Sequence, residues 1–163
     1  MSYTTKFSHV GQNASRILAE LLSDQTILRY TMYLIDDPLD QSLPDIHGDL
    51  MDSEDLLPHP VDYSTLIEEQ VKLAFYPSKS KYSSESVIGS DVYELDIIVP
   101  YKYWTVNGKS NYRAFRIAFE IAKLIDKRQI TGIGKIQITE WKLEKINQQY
   151  GILSLLIEVK NGI

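Results

Sequence analysis

The sequence predicts an α+β domain in which helices pack on an antiparallel four-stranded sheet. Three observations predict it: an amphipathic helical pattern near the N-terminus, a long apolar helical pattern over residues 112–129, and two pairs of segments with the alternation of strands. The predicted order is an N-terminal helix (or two), a long acidic arm, and then β-β-α-β-β. The chain has 163 residues, which fits a single domain over residues 1–163.

The N-terminal region predicts one helix or two. Asn13 or Ser15 is a candidate N-cap, because apolar residues then recur on one face over residues 17–22. Asp24 is a candidate N-cap for a second helix over residues 25–35, for which a strand is the competing interpretation.

An acidic arm is predicted over residues 36–64, which hold four prolines and many aspartates. From Tyr30 to Val71 the chain has no lysine or arginine and eleven acids, whereas the remainder carries a net positive charge. This asymmetry indicates contact between unlike surfaces, within the chain or between copies, and argues against a general nucleic-acid binder. We expect the arm to gain order by docking.

Two strand pairs follow the arm. Residues 66–76 and 91–99 alternate apolar and polar side chains and predict a hairpin, with the polar residues 78–86 as the loop between them. Residues 135–143 and 152–159 predict a second pair.

A helix is predicted between the two pairs, with Ser110 or Asn111 as its N-cap. The glycine corner at residues 132–134 is interpreted as its C-cap and turn. The predicted apolar face consists of eight residues. These are Phe115, Ala118, Phe119, Ala122 and Ile125, widened by Ile117, Ile121 and Leu124.

The residue types exclude several classes of site. There is no cysteine, which excludes disulfides and thiolate sites. No apolar run is long enough for a membrane span and the N-terminus lacks a signal-peptide layout, so we expect synthesis in the cytoplasm and no membrane partner. Neither a phosphate loop nor a hydrolase motif occurs. We predict no enzyme, no cofactor and no catalytic or metal residue.

The alternative is a small metal-dependent hydrolase that uses the acidic arm with His47 and His59. Against it, the spacing matches neither a calcium loop, which needs carboxylates at fixed positions around a glycine, nor the i, i+4 histidine pair of a zinc helix.

Residues 91–126 and 130–138 resemble the tail-terminator (neck) proteins of long-tailed bacteriophages, and residues 21–40 are similar to the same group. A strand ends in an aromatic loop, a helix opens with Tyr112, Arg113 and Arg116, and a glycine-rich corner leads to the next strand.

The resemblance implies a virion structural protein that is assembled in the host cytoplasm. It implies a ring, usually a hexamer of the chain, that caps the tail tube and joins it to the head connector. DNA would pass through its lumen without specific binding. Another neck, head-closure or tail-completion component is the alternative within the same class.

Two sets of residues are candidates for contacts. Aromatic side chains and arginine are favoured at protein interfaces, although aromatics beside bases also stack on nucleic acid. The candidate subunit-interface residues are Tyr101, Tyr103, Trp104, Tyr112 and Arg113. Acids in the lumen would repel DNA phosphates, and acids on the surface would dock on a basic neighbour. The candidate lumen or docking acids are Asp36, Asp37, Asp40, Asp49, Asp52, Glu54, Asp55, Glu94 and Asp96.

Overall fold

The computed structural model describes residues 3–47, 55–62, 64, 66, 69–82, 89–108, 110–130 and 132–161, and it confirms the α+β fold. The helices of the described part are α1 (Tyr3–Ser23), α2 (Gln25–Met32) and α3 (Arg113–Ile125). The strands there are β1 (Leu56–Leu57), β2 (Lys72–Tyr82), β3 (Gly89–Pro100), β4 (Gln129–Ile130), β5 (Gly134–Lys145) and β6 (Tyr150–Asn161).

The six strands form one mixed sheet in the order β1-β2-β3-β6-β5-β4. The four long strands are those predicted, and they are antiparallel neighbours. The four-stranded prediction missed β1, which is parallel to β2, and β4, which pairs with β5. Each has two residues, too few to leave an alternating pattern in the sequence.

The first helix starts at Tyr3, well before the predicted cap at Asn13. Its apolar stripe begins upstream of the predicted one, since Val10 also packs against the core. The hydroxyl of Tyr93 donates to the carbonyl of Val10 at 2.9 Å, which fixes this upstream turn to the sheet.

The second helix has the predicted N-cap. The carboxylate of Asp24 accepts hydrogen bonds from the N–H groups of Thr26 and Ile27 at 2.9 and 3.0 Å. The helix ends at Met32, before the predicted end at residue 35, and the next residue is already extended.

The first hairpin lies further along the chain than predicted. Residues 78–82, predicted as loop, continue β2 and pair with the start of β3. The hydroxyl of Ser80 donates to Asp91 at 2.7 Å, and a register shift between Pro77 and Lys79 accommodates the proline. The predicted tip residues 83–86 lie outside the described residues.

The third helix buries part of the predicted face, because Ile117, Ile121 and Ile125 are buried as predicted, and it also buries Arg113 and Ala114. Neither predicted N-cap is used: Tyr112 occupies that position, and its side chain makes no capping bond. Phe119 is 56% exposed, although it was predicted as core. The helix ends at Ile125, and Lys127 then takes a left-handed φ of 58°. The buried residues of α3 are Arg113, Ala114, Ile117, Ile121 and Ile125.

The main core lies between the helices and one face of the sheet. A smaller cluster on the opposite face joins Ile98, Tyr150 and Ile152 to Val61 of the acidic arm and to Leu66, which follows the arm. The central strand β3 is therefore buried on both faces. In the described part of the chain, no helix is long and apolar enough to cross a membrane.

Candidate assembly surface

Residues 36–47, the first described part of the acidic arm, are tied to α2 by hydrogen bonds. The guanidinium of Arg29 donates to the carbonyls of Asp40 and Leu43 at 2.9 and 2.8 Å, and to the carboxylate of Asp45 at 3.0 Å. The side-chain amide of Gln25 donates to the carbonyl of Ile46 and accepts a hydrogen bond from the N–H of the same residue. These contacts lie within one chain, so residues 36–47 dock on α2 of their own subunit.

Arg113 is a core residue rather than the predicted interface residue, since it is only 1% exposed. Its guanidinium donates to the carbonyls of Tyr30, Tyr33, Ile35 and Tyr103 at 2.8, 2.9, 2.7 and 2.9 Å. Three of these carbonyls stand at or beyond the C-terminus of α2, where a helix leaves its acceptors without partners. Burial lowers the pKa of Arg113, but an arginine in a protein stays protonated.

The aromatic loop closes one end of the sheet. The rings of Tyr101 and Trp104 lie 5.4 Å apart, and Trp104 packs so closely on Gly151 that a Cβ there would come within 2.7 Å of its ring. Trp104 and Tyr103 are half-buried, whereas Tyr101 and Tyr112 are exposed. The predicted interface residues that a neighbour reaches most freely are therefore Tyr101 and Tyr112.

Asp96 cannot line a lumen or dock on a neighbour, which corrects its prediction. It is 2% exposed and accepts hydrogen bonds from Tyr76 at 2.9 Å and Ser154 at 2.5 Å. Asp55 is also buried. Of the other predicted acids, three are exposed, and these are Asp36, Asp37 and Asp40. Three more, Asp49, Asp52 and Glu54, lie outside the described residues.

Glu94 is half-buried beside Asp96 on the same face of β3. Burial raises the pKa of the Glu94 carboxyl, and the charges of Asp96 and Glu144 raise it further. The folded protein therefore binds this proton more tightly than the unfolded chain does.

Glu94→Gln is expected to stabilise the fold at neutral pH. A raised folded-state pKa contributes stability below the ordinary value of about 4.3, and that contribution is lost as the pH rises through the raised value. The neutral amide does not suffer this loss, so the free energy of unfolding of the variant should exceed that of the wild type at pH 7. The gain should be about 0.5 kcal/mol or less, because solvent screens the charge of a half-exposed group. Urea unfolding at pH 3 and pH 7 measures it. A variant that gains nothing at pH 7 relative to pH 3 contradicts the assignment.

A cluster of exposed and half-buried apolar side chains lies between α3 and β5, and we call it the α3/β5 surface. It consists of Tyr112, Phe115, Phe119, Trp141 and Leu143. Phe115 meets Trp141 edge-on at 5.7 Å and Tyr112 at 6.2 Å, while Trp141 is 60% exposed. Contiguous exposed apolar side chains are characteristic of protein interaction sites.

Trp141 and Leu143 stand on the helix-packed face of the sheet, because they are directly opposite Leu155 and Leu153 of the core. Neither residue was predicted to belong to a contact surface. Their alternation with charged residues was visible and predicts a strand with one apolar face. The sequence did not reveal that the helices leave Trp141 and Leu143 uncovered on the helix-packed face of the sheet.

The outer edge of β5 is open beside this surface. β4 pairs only with Gly134 and Lys135, and the next two outward N–H groups, of Ile136 and Ile138, donate to Arg128 and Asp126. Beyond them, no strand of the described part of the chain pairs with this edge. Open edges accept further strands. The exposed bases around the surface are Arg116, Lys123, Lys142 and Lys145. Lys123 and Lys142 form ion pairs with Glu120 and Glu144, and Glu140 is exposed as well.

A depression elsewhere in the described structure is lined mainly by polar and charged side chains. This open depression of about 480 Å³ is lined by Arg16, Glu20, Leu124, Arg128, Gln129 and Ile130. These described lining residues include neither a nucleophile nor a histidine. No three histidine, aspartate or glutamate side chains of the described residues are grouped to hold a metal.

A family model described as YomW matches residues 24–159, and the chain therefore belongs to the YomW family. The family is named after a phage-like gene product of a Bacillus prophage, which indicates a phage origin and no particular function. None of the curated proteins matches the chain.

Proposed function

We propose that this member of the YomW family is a virion structural protein, a tail terminator whose hexameric ring caps the tail tube and joins it to the head connector. The observation that carries the proposal is the exposed α3/β5 surface beside an open strand edge. The phage origin of the family supports a role in a virion. The resemblance of residues 91–138 to tail-terminator proteins supports the more specific proposal that the chain acts at the end of the tail.

A ring requires two different surfaces on each subunit, because its contacts are head-to-tail. The α3/β5 surface is one. The other is the acidic segment, residues 35–40, in which the exposed apolar residues Ile35 and Leu39 stand among Asp36, Asp37 and Asp40. The exposed apolar side chains of both surfaces, with the bases Arg116 and Lys145 facing the acids, support a contact between the acidic segment of one subunit and the α3/β5 surface of the next.

The proposal assigns the exposed acids to the subunit contact rather than to the lumen. A ring structure in which Asp36, Asp37 and Asp40 face the channel would assign them to the lumen instead. There they would repel DNA phosphates and let the genome pass without specific binding.

Electron microscopy of tail tubes tests the proposal. Purified chain is added to tubes assembled from the tail-tube protein of the same phage, and labelled chain is located along them. We expect label at one tube end only, and no further growth of capped tubes. Binding to the isolated head connector without binding to tube ends would favour the alternative neck or head-closure role. No binding to either would refute both.

A further inference from the structure

We propose that the open edge of β5 pairs with the same edge of a second copy of this chain, which gives a two-fold dimer with one sheet running through both copies. This inference goes beyond the ring, because it concerns what covers the α3/β5 surface when no tail partner is present. It uses only the isolated protein and does not depend on the proposed role in the tail.

The backbone of β5 presents donors and acceptors to this second copy. At the turn to β6, the N–H of Ile146 donates to the carbonyl of Tyr150 at 3.2 Å. Because inward and outward groups alternate along an antiparallel strand, Trp141, Leu143 and Lys145 turn their N–H and C=O groups to the open side. Three consecutive outward positions are enough for a short ladder between two copies.

The open part of β2, beyond the two residues that pair with β1, is built to avoid such pairing. It carries Pro77, Lys79, Lys81 and a register shift, which are features that blunt a sheet edge. The open part of β5 instead carries the exposed apolar side chains of Trp141 and Leu143. Pairing of β5 with β5 is therefore favoured over pairing of β5 with β2.

The charges of β5 are self-complementary when Leu143 lies on the two-fold axis. Lys142 then stands opposite Glu144 of the second copy, and the symmetry makes this pair twice. Trp141 stands opposite Lys145 of the second copy, and this contact also occurs twice. Directly opposite unlike charges stabilise antiparallel strands. Lys142 and Glu144 already form an ion pair within one copy, so their side chains lie on the same face.

A shift of the axis to Lys142 is excluded by the same residues. It would place Lys142 opposite itself and Glu140 opposite Glu144, and like charges in these positions repel. The register with Leu143 on the axis avoids this repulsion.

The side chains beside the axis favour a second copy of the chain as the partner that pairs with the open edge of β5. Trp141 and Leu143 project on the helix-packed face, where the ring of Phe115 meets that of Trp141. Two-fold pairing brings this apolar cluster against its equivalent, as an isologous interface requires. The dimer therefore covers the α3/β5 surface until a ring partner replaces the second copy.

Sedimentation velocity of the isolated protein, up to roughly 0.1 mM, tests the pairing with two variants. Lys142→Glu places like charges both within one copy and across the axis, and it should weaken the dimer about tenfold or more. The exchange Lys142→Glu with Glu144→Lys keeps every pair with reversed polarity. It should restore the wild-type dissociation constant to within about threefold. Thermal unfolding of each variant confirms that the domain is folded.

Three results would overturn the pairing. One is a wild-type protein that stays monomeric over the whole concentration range. Another is a dimer that Lys142→Glu leaves unchanged. The last is a folded double variant that fails to recover the dimer, because only the proposed register makes the exchange neutral. None of these results depends on the tail-tube experiment, so the dimer and the ring can fail separately.

Discussion

Replacing Arg113 by alanine is expected to lower the free energy of unfolding by at least about 3 kcal/mol. The change removes a buried cation that serves four carbonyl groups, three of them at or beyond the C-terminus of α2. Those carbonyls would remain in the interior without their donor. For a domain of this size, such a loss lowers the melting temperature by about 6–12 °C. Urea and thermal unfolding measure it.

Two variants serve as controls for this effect. Arg116→Ala removes an exposed arginine three residues along the same helix. Its guanidinium donates to the side-chain carbonyl of Asn111 at 2.6 Å, and its loss should cost about 0.5 kcal/mol or less. Arg113→Lys keeps the charge but cannot reach four carbonyls with one ammonium group, so most of the loss should remain. If Arg113→Ala were no more damaging than Arg116→Ala, the structural role of Arg113 would be refuted.

Replacing Trp141 by serine is expected to weaken ring assembly on tail tubes about 30-fold and to leave the fold intact. Trp141 is 60% exposed, so its loss leaves no core cavity, yet it anchors the α3/β5 surface through Phe115. Exposed tryptophans at the centre of an interface often contribute about 2 kcal/mol or more. Quantitative binding to capped and uncapped tubes measures the effect.

Phe119→Ser should act in the same direction, because Phe119 belongs to the same surface. Phe7→Ser is the matched control, since Phe7 is an exposed phenylalanine of α1 outside the α3/β5 surface. Equal weakening by Phe7→Ser and Phe119→Ser, or wild-type assembly by Trp141→Ser, would show that this surface does not make the contact.

The sequence was sufficient for the long elements of the fold. Alternation located β3 with its buried Tyr93, Leu95, Ile97 and Val99, because each side chain of a strand reports one face of the sheet. Asp24 was identified as a cap because its carboxylate acts on its own helix. Such local signals do not depend on distant residues.

The remaining features depend on contacts between distant parts of the chain. The start of α1, the register of β2 and the strands β1 and β4 are set by neighbours that no local pattern reveals. The extension of the buried face of α3 to position 113 was not predicted, because an arginine usually marks the solvent side. Only the carbonyls beyond the end of α2 explain that choice.

The candidate site was harder to predict for the same reason. Arginine and aromatic residues pointed to the loop at residues 101–113, where Arg113 and Trp104 are in fact held by the monomer. Trp141 and Leu143 carried an ordinary strand pattern. They are candidates for a contact surface only because no other part of the described structure covers them. That depends on the tertiary arrangement and not on the local sequence.

The central claim is that the chain assembles into a ring at the end of a tail tube. The mass of the assembled species, determined by light scattering after release from tail tubes, tests it most directly. We predict a particle of about six subunits that forms only in the presence of the tube protein. A chain that stays monomeric or dimeric with the tube protein present would contradict the claim.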